Sequence, residues 1–192
     1  MIVRILIWAT LGLPVFALAL EKPAYRVVEK LGDVEVRDYA PALVAEVEIT
    51  GSFREAGNRA FRYLGGYISG NNVSDEKISM TAPVTQAPSG DGTYRVAFFM
   101  PSSYSRASLP LPADDAVVIR EQPGRMFATI RYRGNWSESR YRQHLALLEA
   151  WLAESDRYES AGEPVWARYD PPFMPGFMRT NEILVPVSRL PE

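Results

Sequence analysis

The feature that most constrains the fold is an internal repeat, in which residues 83 positions apart along the chain match one another. The matching pairs are Ala45 and Ala128, Gly51 and Gly134, Phe53 and Trp136, and Leu64 and Leu147. Each half, about 25–101 and 116–188, reads as a β-β-α-β-type unit that must bury one helix face against a sheet. The repeat therefore predicts a pseudo-two-fold α+β domain with a cleft between the halves, where ligands are common. Chance recurrence of short elements is the alternative that the sequence leaves open.

The elements follow from hydrophobic periodicity and turn residues. In the first half, Gly32 and Asp33 predict the turn of a hairpin over 25–39, while Ser52 and Gly70 predict the start and stop of a helix over 52–69. A second helix is predicted over 137–153. Further strands are predicted over 42–49, 94–100, 116–122, 125–132, 163–169 and 181–187.

The stretch EKISMTAPV, residues 76–84, alternates apolar and polar side chains as a half-buried strand does. Pro83 has no backbone N–H and restricts such a strand to an edge or an end. We interpret Ile78 and Val84 as core residues, and Met80 on the same face as reaching the cleft.

The first nineteen residues have the composition of a secretory signal peptide. Arg4 is the only charge before an apolar run over 5–20, and Ala17 and Ala19 form an A-x-A pattern that predicts cleavage after Ala19. We therefore expect a signal peptide at 1–19, a folded domain at 20–192 and a periplasmic or secreted location. An uncleaved anchor is the alternative, but the run is short for a membrane span and contains a proline.

Composition excludes several classes of function. With 21 basic and 23 acidic residues the formal net charge is −2, so there is no basic excess to bind a nucleic-acid backbone. The absence of cysteine excludes disulfides, thiolate metal ligands and a cysteine nucleophile. No phosphate-binding loop, dinucleotide-binding glycine motif or H-E-x-x-H motif is present.

His144 is the only histidine. Its place beside the apolar stripe of the second predicted helix indicates a residue at the rim of the core, with a ring nitrogen bonded to solvent or backbone. The alternative is an axial ligand to the iron of a metal cofactor.

An unusual segment over residues 163–182, EPVWARYDPPFMPGFMRTNE, includes the predicted strand at 163–169 and the loop that leads to the last predicted strand. It combines aromatic residues, methionines and four prolines with one cation next to them, Arg179. Such an apolar loop either caps the hydrophobic core or closes over an apolar ligand that bears an anionic group.

Five stretches together resemble the SOUL heme-binding protein family, and the resemblance extends from about Tyr25 to Val187. They are VEVRDYAPALVAEV (34–47), FRYLGGYISGNN (61–72), EKISMTAPV (76–84), VAFFMPSSYS (96–105) and ARYDPPFMPGFMRTNEILVPV (167–187). The resemblance implies one α+β domain with a twisted, barrel-like antiparallel sheet and two helices, an architecture shared with small-molecule effector-binding domains.

The resemblance also implies a tetrapyrrole ligand between the helix at 52–69 and the loop at 169–179, with basic groups near the propionates. Some members are proposed to use a histidine of the first half, which this chain lacks, so a methionine, a tyrosine or no protein ligand remains for the iron. The residues expected to bind are Phe61, Arg62, Leu64, Lys77, Met80, Tyr169, Phe173, Met174, Phe177 and Arg179.

The sequence is therefore compatible with three functions. The first is an exported binding protein for heme or a related tetrapyrrole, without nucleic acid as partner and without a stable membrane span in the mature protein. The second is a binding module for another amphipathic small molecule. The third is an enzyme that uses Glu182 and Tyr169 for acid–base chemistry in the same cleft.

Overall fold

The computed structural model describes residues 20–191, so the predicted signal peptide lies outside the described residues. Within this range no helix is both long and apolar enough to cross a membrane. The elements of the described chain are β1 (Tyr25–Leu31), β2 (Val34–Tyr39), β3 (Ala42–Thr50), α1 (Phe53–Ile68), β4 (Val84–Pro88), β5 (Thr93–Phe99), β6 (Val118–Gln122), β7 (Arg125–Arg133), α2 (Glu138–Ala153), β8 (Tyr158–Ser160), β9 (Val165–Arg168), a 3-10 turn (Gly176–Met178) and β10 (Thr180–Arg189).

The strands form one curled antiparallel sheet in the order β1-β2-β7-β10-β9-β4-β5-β3-β6, and β8 pairs with the end of β10. This order is symmetric about the β9–β4 contact when β2, β3, β4 and β5 are matched with β6, β7, β9 and β10. The first matched strand of each half pairs with the other half, because β2 pairs with β7 and β6 pairs with β3. The predicted pseudo-two-fold α+β fold is confirmed.

The repeat of 83 residues holds as far as the turn before each helix. β3 and β7 are both nine residues long, and Gly51 and Gly134 follow them with φ of +151° and +141°. Side chains other than glycine are strained in that region, which explains why glycine recurs there. The two turns are equivalent.

Beyond these glycines the repeat slips by two residues. α1 starts two residues after Gly51, whereas α2 starts four residues after Gly134. The predicted equivalence of Leu64 and Leu147 is therefore wrong: Leu64 is fully buried, and Leu147 is 56% exposed. Trp136, which the repeat matched with the first residue of α1, lies before α2 and is free to contact other elements.

Each helix covers the strands of its own half, and local sequence sets where α1 begins. The Ser52 hydroxyl accepts a hydrogen bond from the Glu55 N–H while the Glu55 carboxylate accepts one from the Ser52 N–H, a capping box. α1 packs on β3 and β5, and α2 packs on β7 and β10. Gly70, with φ of +116°, follows the end of α1 as predicted.

The prediction of a strand over 76–84 is wrong. The chain has no regular secondary structure there and joins no ladder before β4 begins at Val84, apart from a single bridge between Thr81 and Glu21. Pro83 lacks the N–H that a ladder needs, and the segment crosses from the end of α1 to the middle of the sheet. The side-chain interpretation fares better, because Ile78 is buried and Met80 is half-buried.

Candidate functional site

A cavity of about 480 Å³ opens on the helix side of the domain, between α1, the segment Met80–Val84 and the loop that follows β9. This volume is in the usual range for small-molecule sites. Its lining is mostly apolar and consists of Leu20, Gly57, Asn58, Phe61, Met80, Thr81, Ala82, Val84, Trp136, Arg168, Tyr169, Asp170, Pro171, Pro172 and Phe173.

Two phenylalanine rings flank the mouth of the cavity. Phe61 projects from α1 and is 49% exposed, and Phe173 projects from the loop and is 86% exposed. The Phe61 ring is held from behind by Phe98 of the sheet, with ring centroids 5.7 Å apart. Large exposed aromatic side chains on two sides of an apolar cavity are typical of a binding site.

Arg179 holds the shape of the loop. Its Nε donates a hydrogen bond to the Met174 carbonyl at 2.9 Å, and an Nη donates one to the Pro172 carbonyl. Its guanidinium lies over the ring of Trp136, 4.2 Å from the ring centroid. Arg179 therefore lies behind the cavity wall, with two of its nitrogens committed to the loop backbone.

Arg168, the last residue of β9, places a cation in the wall of the cavity. The residue is 9% exposed, and its guanidinium lies 5.3 Å from the ring centroid of Trp136 and 4.9 Å from that of Trp166. A Cβ on Gly57 of α1 would lie 2.6 Å from its Nη1, so any side chain at this position would displace the guanidinium. Burial lowers the pKa of Arg168 to about 10, which leaves the guanidinium charged at neutral pH.

Three polar atoms in this region are buried without a hydrogen-bond partner among the described residues. They are the Nε atom of Arg168, the indole Nε1 of Trp136 and the Oδ1 atom of Asn181. Asn181 lies opposite Arg168 in the β9–β10 ladder, and its Nδ2 donates to the Gly134 carbonyl at 3.0 Å. Buried polar groups are usually paired, so unpaired ones beside a cavity indicate a missing partner.

Tyr169 connects the cavity wall to a buried carboxylate. Its hydroxyl donates a hydrogen bond to Glu182, which is fully buried and also accepts hydrogen bonds from Arg37 and Arg131. Burial raises the pKa of Glu182, but the hydrogen bonds and charge of Arg37 outweigh it and hold this pKa below its usual value. Burial and the Glu182 charge raise the pKa of Tyr169.

The pKa shifts of Glu182 and Tyr169 test the hypothesis that these two residues carry out acid–base chemistry. General acid–base catalysis is most effective when the pKa of the group lies near the working pH. The shifts keep Glu182 ionised and Tyr169 protonated, and each of the two groups is held by the other. The arrangement is that of an ion-pair network in the fold.

The cavity brings together four of the residues that the sequence singled out: Phe61, Met80, Tyr169 and Phe173. The other six do not line it. Leu64 is buried in the core beneath α1, Arg62 and Lys77 are exposed, Phe177 is 76% exposed on the loop, and Met174 and Arg179 lie in the loop behind the lining.

Sequence reasoning missed Arg168, Trp136 and Gly57. A signal for Arg168 was available, since in the strand predicted over 163–169 it falls on the same face as Trp166. A cation on the buried face of a strand is rare and needs an explanation.

His144 does not line the cavity. Its ring stacks on Tyr132 with centroids 3.9 Å apart, and its Nδ1–H donates to the Arg140 carbonyl at 2.8 Å. Its placement at the rim of the core is confirmed. Within residues 20–191, no three histidine or acidic side chains form a group that could hold a metal ion.

The fold and the cavity define an α+β domain of two related halves with an apolar site on its helix side. The model of the SOUL heme-binding protein family matches residues 20–186, and the chain belongs to that family. It is 27% identical to heme-binding protein 2 of Mus musculus over 176 residues, 86% of this chain and 85% of that protein. It is 26% identical to heme-binding protein 2 of Homo sapiens over 152 residues, 73% of this chain and 74% of that protein.

A solved structure extends the comparison of the fold. The crystal structure of the EcmrR C-terminal domain superposes with a TM-score of 0.64 at 11% identity, covering 86% of this chain and 99% of that one. At this identity the likeness is one of fold alone.

Proposed function

We propose that the protein is an exported binding protein for heme or a related tetrapyrrole, which it holds in the cavity between α1 and the loop after β9. The observation that carries the proposal is the apolar cavity with Phe61 and Phe173 at its mouth. Two exposed rings suit the faces of a flat macrocycle, and burying apolar surface supplies the main driving force. Membership of the SOUL family and the names of the two relatives support heme as the ligand.

Histidine ligation of the iron is not part of this proposal, because His144 is held against Tyr132 and Arg140 away from the cavity. Met80 lines the cavity and carries a thioether, the softer of the two ligand types expected from the sequence. The hydroxyl of Tyr169, the other type, is already bonded to Glu182. We expect His144→Ala to leave the Soret band of the bound ligand unchanged.

Absorbance titration with hemin tests the binding site. Phe173→Ala is expected to weaken hemin binding roughly tenfold, since removing one aromatic contact costs about 1–2 kcal/mol. Phe177→Ala is the matched control, because Phe177 is exposed on the same loop but does not line the cavity. Equal losses in both variants, or no Soret shift with the wild type, would refute the proposed site.

Export is the second part of the proposal, and its support comes from the sequence of residues 1–19. N-terminal sequencing of the protein recovered from outside the cytoplasm should give Leu20 as the first residue. A protein that retains Met1 in the cytoplasm would contradict this part while leaving ligand binding untouched.

A second candidate function is the binding of another amphipathic small molecule, and the composition of the cavity favours it. The wall is apolar with one buried cation, and nothing in it demands a macrocycle. Thermal unfolding distinguishes the candidates, because a ligand that binds the native state raises the unfolding midpoint. The second candidate is favoured if a lipid or aromatic extract raises the unfolding midpoint and hemin does not.

A further inference from the structure

Arg168 is a buried cation whose charge is balanced by no anion within residues 20–191. Among the described residues its Nε atom has no hydrogen-bond partner, and no charged neighbour offsets the effect of burial on its pKa, although the residue is only 9% exposed. Removing a charge from water is costly unless a partner compensates it. With its pKa near 10, Arg168 does not escape that cost by losing its proton at neutral pH.

The groups around Arg168 reduce the cost without removing it. Trp136 and Trp166 lie within cation–π distance of its guanidinium, and such contacts contribute only part of what an ion pair does. Asn181, opposite on the sheet, offers a neutral oxygen. Asp170 also lines the cavity, but its Oδ2 accepts the Thr180 N–H at 2.5 Å and makes no ion pair with Arg168.

The unsatisfied groups at the cavity wall include two donors. The Nε–H of Arg168 and the Nε1–H of Trp136 have no acceptor in the part of the chain that the structure describes, and both residues line the same cavity. A guanidinium presents parallel N–H groups that match the two oxygens of a carboxylate. A carboxylate bound in the cavity would supply the missing acceptors.

We infer that Arg168 is the anion-binding residue of the cavity and that the ligand enters with a carboxylate directed inward at this guanidinium. The ligand class is then amphipathic carboxylic acids, with the apolar body between Phe61, Met80 and Phe173. The inference deepens the proposed function, on which it rests, because it assigns the orientation of the ligand to one residue of that site. Neutral esters of the same ligands are discriminated against.

The test compares hemin with hemin dimethyl ester in the same dilute detergent, using wild type and Arg168→Met. The wild type should bind hemin at least about tenfold more tightly than the ester, as a charge-assisted hydrogen bond requires. Arg168→Met should lose that preference by weaker binding of hemin, with the affinity for the ester unchanged. If both proteins bind both porphyrins alike, the inference is wrong and the proposed binding of heme stands.

A second probe, 1-pyrenebutyrate, separates this inference from the identity of the ligand. If neither porphyrin binds but pyrenebutyrate binds the wild type at least about tenfold more tightly than Arg168→Met, heme is wrong and Arg168 stands as the carboxylate site. If no probe binds the wild type, both proposals fail.

The unfolding midpoint of the ligand-free protein distinguishes an anion-binding role of Arg168 from a structural one, because the two roles predict changes of opposite sign in Arg168→Met. Replacing an unpaired buried charge by an apolar side chain of similar length should raise the unfolding midpoint. Arg168→Lys keeps the charge without the planar pair of donors and should retain part of the preference for hemin over its ester. A lower unfolding midpoint in Arg168→Met would show that the guanidinium serves the fold. Full preference for hemin over its ester in that variant would show that another group binds the carboxylate, and either result would overturn the inference.

Discussion

Arg37 and Glu182, 145 residues apart in the chain, form a bidentate ion pair across the sheet. Nη1 of Arg37 lies 3.0 Å from Oε2 of Glu182, and Nη2 lies 3.0 Å from Oε1. Arg131 adds a third hydrogen bond to this carboxylate at 2.7 Å. The pair joins β2 of the first half to β10 of the second. Because β2 also pairs with β7 of the second half, the ion pair stabilises the contact between the two halves.

Removing the Glu182 charge should therefore destabilise the fold strongly. Glu182→Gln leaves buried Arg37 with only the partly exposed Glu35 as counter-ion. Breaking a buried pair costs about 3–5 kcal/mol, and because Glu35 remains we expect a loss at the lower end of that range. Urea denaturation measures the loss in free energy of unfolding. The matched control is Glu138→Gln, which removes the exposed pair with Arg142 on α2 and should cost no more than about 0.5 kcal/mol. Similar small losses in both variants would contradict the role given to Glu182.

The same pair predicts a pH dependence of stability. The pKa of Glu182 is lower in the folded protein than in the unfolded chain, so its contribution is complete above the unfolded pKa and is lost as the pH falls through the folded one. The stability gap between wild type and Glu182→Gln should be constant above about pH 5 and should narrow below about pH 4. Urea denaturation from neutral to acidic pH tests this, and a gap that widens on acidification would refute it.

Two glycines of α1 should respond to alanine in opposite ways. At Gly66 the nearest atoms to an added Cβ belong to Asn71 at 3.9 Å, so Gly66→Ala should gain about 0.5–1 kcal/mol of stability from helix propensity. At Gly57 the added Cβ would lie 2.6 Å from Arg168 Nη1, so Gly57→Ala should cost about 1–3 kcal/mol. Urea denaturation measures both. An equal gain at both positions would show that Arg168 does not press on α1.

Local sequence was sufficient to predict the features whose signals are local. Ser52 was predicted to start the first helix and Gly51 was matched with Gly134 in the repeat, and the structure confirms both. The capping box and the positive φ of the two glycines explain why these signals hold. The strand predicted over 76–84 failed because alternation reports which side chains are buried. Whether the backbone of that segment finds a partner strand depends on the path of the chain around Pro83.

The site was only partly predictable for a similar reason. Helical periodicity placed Phe61 and Leu64 on one apolar face, but the packing of α1 on β3 and β5 turns Leu64 into the core and leaves Phe61 at the cavity. Arg62, Lys77 and Arg179 were expected as the cations, Arg179 because it lies in the unusual loop. Arg168 was missed because its importance depends on contacts with Gly57 and Trp136, which are distant in sequence.

The central proposal, that the cavity between α1 and the loop receives the tetrapyrrole, is tested most directly by locating the iron. Crystals of the protein grown with hemin, measured at the iron absorption edge, should show one anomalous peak between the rings of Phe61 and Phe173. A peak elsewhere on the molecule, with this cavity empty, would contradict the proposal.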